Sequence, residues 1–181
     1  MNKRIRWITE TAVMLALLVS LQALTKPMGQ LVTGSCVNAV LAVSALIGGL
    51  GCGLTVAVVS PVLAFLLGIA AQPVTVPAIM AGNIVYVVLL AVIAGKRGKP
   101  LVRQVTAWLV SAAAKFATLY GVVAGLICGV LADTLLAYGA LKAPMLKALP
   151  VTFGWPQLVT GLIGGAVAML ILPVVRRALG K

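Results

Sequence analysis

"VTAWLVSAAAKFATLYGVVAGLICGVL", residues 105–131, is an unbroken run of mostly apolar residues with one lysine, Lys115, eleven positions beyond Gln104. A helix that spans a bilayer needs roughly 17–25 predominantly apolar residues, so the segment is long enough to cross. At about 1.5 Å of rise per residue, Lys115 lies roughly 15 Å from Val105, too deep for easy snorkelling. An isolated ammonium at that depth costs at least about 2.5–3.5 kcal/mol on insertion scales. The stretch therefore fixes a membrane helix and demands a partner for its cation.

The rest of the chain agrees with that environment. Of its 181 residues 62% are hydrophobic and 9% charged, with mean hydropathy +1.20. Soluble domains carry roughly 25% charged and 45–50% apolar residues. Residues 1–181 are expected to form a single integral membrane domain with no room for a soluble one. "MNKRIRW" leads into an apolar run without a small-residue cleavage site, so it reads as a retained first helix.

The inventory excludes most chemistry. There is no histidine, and the acids are Glu10 and Asp133. Metal sites, histidine triads, carboxylate pairs and acidic diphosphate motifs lack their parts, so no catalytic residue, metal or cofactor is expected. Cys36, Cys52 and Cys128 lack paired spacing and read as small buried residues. The net charge of +12 does not indicate nucleic acid, because the basic residues gather at helix ends and not along one soluble face.

Six spans are expected, at about Trp7–Leu24, Cys36–Leu50, Cys52–Ala70, Pro77–Ala94, Val105–Leu131 and Gln157–Val175. The second is short and the third follows a tight "GGLGCG" turn, so the two could also form one broken or re-entrant unit. Pro61 predicts a kink in the third. Lys3, Arg4 and Arg6 precede the first span. Lys96, Arg97, Lys99 and Arg103 separate the fourth and fifth, and Arg176, Arg177 and Lys181 follow the sixth. With six spans these ten fall on one side, against Lys26, Lys142 and Lys147 on the other. Positive charge marks the cytoplasmic side. The fold class is thus an all-α bundle of six transmembrane helices with both termini cytoplasmic. Its outer loops are Thr25–Gly34, Ala71–Val76 and Ala132–Pro156. The last is semi-apolar and suits a lid or interfacial segment.

The uncharged polar residues sit mostly in the outer halves: Gln22, Asn38, Asn83, Trp155 and Gln157, with Tyr86 and Tyr120 near mid-depth. Lipid cannot satisfy amides, so they should face protein or a cavity. A polar outer half over an apolar inner half suggests a pocket open outward, whereas a channel wants a polar stripe through the full depth. The candidate substrate-binding residues are Asn38, Asn83, Tyr86, Lys115, Tyr120, Trp155 and Gln157. Each has a plainer alternative: Asn38 a helix cap, Asn83 a helix–helix bond, Tyr120 and Trp155 an interfacial belt. Small-xxx-small steps at "GVVAG" (121–125), "GLICG" (125–129) and "GLIGG" (161–165) are expected to pack mostly inside. In "AVMLA", Ala12 and Ala16 make a narrow groove on a bulky first helix, fit to dock another protein.

The chain resembles the substrate-binding S components of energy-coupling factor (ECF) transporters of prokaryotes. The likeness covers essentially the whole chain. It is carried by the span pattern, the alanine pair and "LVTGSCVNAVLAVSALIGG", "SPVLAFLLGI", "PAIMAGNIVYVV" and "WPQLVTGLIGG". It implies a plasma-membrane subunit that binds a vitamin-like molecule near the outer face. It implies partners as well: a membrane coupling subunit, contacted through Ala12 and Ala16, and two cytoplasmic ATPases. Such a subunit topples in the membrane and is not an enzyme, in line with the absence of a Walker-type phosphate loop.

For Lys115 three partners stay open: backbone carbonyls and amides, an acid of the coupling subunit, or an anionic group of the substrate. Its Cβ leans toward the cytoplasmic helix start, which counts mildly against an upward reach. A stand-alone channel or secondary carrier is the competing class, and a membrane enzyme or maturation factor a third.

Overall fold

The computed structural model describes residues 2–69, 72–95 and 100–178. Every regular element among them is helical. Helix α1 (Lys3–Thr25) opens on Asn2, whose side chain accepts a hydrogen bond from the Arg4 amide at 3.2 Å. That occupies one of the free N–H groups at a helix start. A short 3₁₀ turn, Lys26–Met28, and Gly29 at φ 91° reverse the chain into α2 (Gln30–Ile47). Gly49, at φ 86°, makes the next reversal into α3 (Leu50–Leu66). Only glycine enters that left-handed region freely. A 3₁₀ turn at Pro73–Thr75 leads into α4 (Val76–Ala94). Helix α5 (Leu101–Tyr120) widens to π geometry over Gly121–Val130. Two short helices follow, α6 (Ala132–Ala137) and α7 (Ala143–Thr152), and α8 (Trp155–Ala178) ends the bundle.

Five helical stretches are long and apolar enough to cross a membrane: Lys3–Met28, Gln30–Ile47, Pro73–Ala94, Leu101–Val130 and Ala143–Ala178. At 17 residues, α3 falls just short. Helix α2 starts at Gln30 and not near Cys36, because the turn it adds carries Gln30, Thr33, Gly34 and Ser35. A hydropathy reading discounts those residues. Helix α3 runs on through Pro61. The clusters at Lys96, Arg97 and Lys99, with Lys181, Ala70 and Ala71, lie outside the described residues.

Helix α2 is the hub. Residues 38–45 are buried without interruption, so both its faces are covered; it packs on α8 most closely, and on α1, α3 and α4. Glycine makes this closeness possible. A Cβ on Gly164 would stand 2.5 Å from the Ser35 carbonyl oxygen and 2.6 Å from Asn38 Cβ. One on Gly53 would stand 3.0 Å from Ala45 Cα. "GLIGG" therefore packs inside, as expected. Gly121 and Gly125 meet nothing, because that stretch turns Val123 and Ile127 inward and leaves its glycines on the outer surface.

Candidate functional site

Four helices bring one polar cluster to the centre of the bundle. Lys115 of α5 is 3% exposed, and its Nζ donates to Asn38 Oδ1 of α2 at 2.5 Å and to Asn83 Oδ1 of α4 at 2.7 Å. Asn38 Nδ2 donates to Thr160 Oγ1 of α8 at 3.2 Å, and that hydroxyl donates to the Gln157 carbonyl at 3.1 Å. Asn83 Nδ2 donates to the Ala57 carbonyl of α3 at 3.4 Å. The last contact follows from Pro61. A proline has no N–H, so the carbonyl four residues earlier loses its helical donor. Here that carbonyl is Ala57, and Asn83 supplies the replacement. The Tyr86 ring lies 5.5 Å from Nζ, one turn along α4 from Asn83. Tyr86 is fully buried and its hydroxyl has no partner among the described residues.

Two neutral side-chain carbonyls thus take the place that the sequence leaves to backbone groups, a partner's acid or a substrate's anion. Both belong to carboxamides, so neither brings a negative charge. Of the two acids, Glu10 pairs with Arg6 at 3.0 Å far along α1, and Asp133 is exposed on α6.

Above this cluster is a cavity of about 440 Å³. Asn38, Asn83 and Lys115 line its base, and Leu119, Ile79 and Val37 line its walls. Its roof comes from the segment read from sequence as a lid or interfacial stretch: α7 contributes Met145, Leu149 and Thr152, followed by Phe153. Gln157 Nε2 donates to the Thr152 carbonyl at 3.3 Å and ties the roof to α8. Every element that lines the cavity does so at the end of the bundle away from residues 2–10 and 170–178.

Of the seven residues singled out from sequence, Asn38, Asn83, Lys115 and Gln157 meet in this cavity. Tyr86 stands behind Lys115. Tyr120 is 47% exposed and stacks on Phe116 at 5.9 Å, while Trp155 is 61% exposed; neither lines the cavity. Thr33, Gln72, Thr152 and Thr160 join without having been singled out. Helical spacing carries part of that signal: Thr160 is one turn from Gln157, and Gln30, Gly34 and Asn38 share a face of α2. Among the described residues, no group of three or more metal-ligating side chains gathers.

Apolar helices packed around a cavity with a few polar groups in its lining define a multi-pass helical membrane protein. Residues 6–176 match the family described as "ECF transporter, substrate-specific component", and the chain belongs to that family. Its members are substrate-binding subunits of transporters, not catalysts. The search of curated proteins and the search of solved structures each return no match.

Proposed function

We propose that this chain captures a small vitamin-like molecule from outside a prokaryotic cell and delivers it inward in complex with a membrane coupling subunit and two ATPases. All six apolar helices cross the plasma membrane in this reading, and both termini are cytoplasmic. Short α3 is taken as a span because Gly49 reverses the chain into it from α2 and it packs beside α4. Lys3, Arg4 and Arg6 at the start of α1, Arg103 in the first turn of α5, and Arg176 and Arg177 in the last turn of α8 gather at one end, which supports a cytoplasmic assignment there. The cavity then faces outward.

The observation that carries the reading is Lys115: a buried lysine clamped by Asn38 and Asn83 at the base of a roofed cavity. An ionisable group at membrane depth marks a substrate or ion path more often than a structural feature. A channel or carrier would need polar groups continuing beyond it. There the helices meet in an apolar cluster that includes Leu18, Leu41, Val56, Leu90 and Leu172. The buried hydroxyls Thr11, Ser44 and Ser111 bond carbonyls of their own helices and offer no relay.

Lys115→Met is the direct test. The variant should elute as the same folded monomer in detergent while ligand affinity falls about 10- to 100-fold, the equivalent of a charge-assisted hydrogen bond. Unchanged affinity would remove Lys115 from the site.

A further inference from the structure

We infer that the cavity takes a monocarboxylate: an acid with one negative charge, an apolar middle and a hydrogen-bond donor at its far end. The inference rests on the substrate-capture reading above and adds the class of substrate.

Charge balance is the first argument. Lys115 is the one cation lining the cavity among the described residues, and no acid lines it. Its two partners are neutral amide carbonyls, which orient Nζ without neutralising it. A buried ammonium with no counter-charge is costly, and an adjacent anion holds the charged form that burial alone disfavours. One carboxylate closes that balance. A phosphate dianion or a dicarboxylate would bring an unmatched charge, and a cation would meet repulsion.

The approach is biased the same way. Lys26, Lys142 and Lys147 are exposed at the roofed end of the bundle, against Asp133 alone. Such an imbalance favours arrival of anions.

The far end is set by two unpaired polar atoms, an amide oxygen that accepts and a hydroxyl that can accept or donate. Gln22 Oε1 and Thr33 Oγ1 are buried with no hydrogen-bond partner among the described residues, and both residues line the cavity. Buried polar atoms are rarely left unpaired. Thr33 lies five residues before Asn38, roughly 7.5 Å along α2 at about 1.5 Å per residue. Between them the walls are Val37, Ile79 and Leu119. The lining thus reads acid, apolar spacer, N–H or O–H donor.

The test uses the full-length protein in detergent, immobilised and equilibrated with yeast extract. A second portion of the same extract is first methylated in acidic methanol, which converts carboxylates to neutral esters. Bound small molecules are eluted and identified by mass spectrometry. Wild-type protein should retain a molecule with a single carboxylate, and its recovery should fall at least ~10-fold from methylated extract, the loss of one charge-assisted contact. Retention that survives methylation, or a retained neutral, cationic or phosphorylated molecule, overturns the monocarboxylate inference and leaves substrate capture standing. Retention of nothing from either portion overturns the capture reading and the inference together. Asn38→Asp supplies the missing acid beside Nζ with little change of shape. It should lose acid retention to the same degree while eluting as folded protein, and undiminished retention would also overturn the inference.

Discussion

At the scale of single residues, Lys115, Asn83 and Pro61 form a chain of causes. Proline removes one helical hydrogen bond in α3; the freed Ala57 carbonyl takes Asn83 Nδ2; the amide so oriented turns its oxygen to Lys115. Pro61→Ala restores the N–H that competes for Ala57. The expected result is a thermal midpoint no lower than wild type, with ligand affinity reduced about 2- to 10-fold, the worth of one neutral hydrogen bond. Equal affinity would mean that Asn83 is held by other contacts. Lys115 was legible in the sequence as a residue needing compensation, and Asn38 and Asn83 as amides needing protein around them. That they compensate each other was not, because 77 and 32 residues separate them from Lys115 along the chain.

At the scale of elements, the α2–α8 contact and the roof decide the cavity's shape. Gly164 leaves no room for a methyl group, since the atoms it would meet include the backbone of Ser35 and Ala39. Gly164→Ala should therefore separate α2 from α8 and cost about 1–3 kcal/mol, as overpacking does. Thermal unfolding in detergent would register it, together with weaker ligand binding as Asn38 moves. By contrast Gly125→Ala, on the outer face where nothing meets a Cβ, should leave both unchanged or slightly stabilise the helix. A sequence scan cannot rank "GLIGG" above "GLICG", because both present the same spacing. The π geometry at Gly121–Val130 and the neighbours of each face separate them. The same limit applies to Tyr120 and Trp155: type and depth suited a pocket, but the rotation of their helices turns them to the surface.

At the scale of the whole molecule, the cavity and the outer face of α1 have separate tasks in the proposed cycle. Ala12 and Ala16 are exposed on α1, the least enclosed of the five long apolar stretches. Replacing both with leucine should abolish co-purification with a coupling subunit, since bulky side chains prevent the close helix approach that small residues allow. Ligand binding by the isolated chain should persist, because neither alanine lines the cavity. Loss of both activities together would place the effect in folding.

The amino-acid sequence by itself determined the solvent, the helical class and the chemistry that is missing. Those follow from composition, run length and charge position, which are properties of the chain read in order. It also marked Lys115, since a charge in an apolar run is costly wherever the helix packs. The tertiary structure alone decided which polar groups meet that charge, which glycines carry the packing and which aromatics stay outside. Those depend on helix rotation and on contacts between distant segments, and the many similar apolar faces of a membrane helix leave both unspecified until the helices pack.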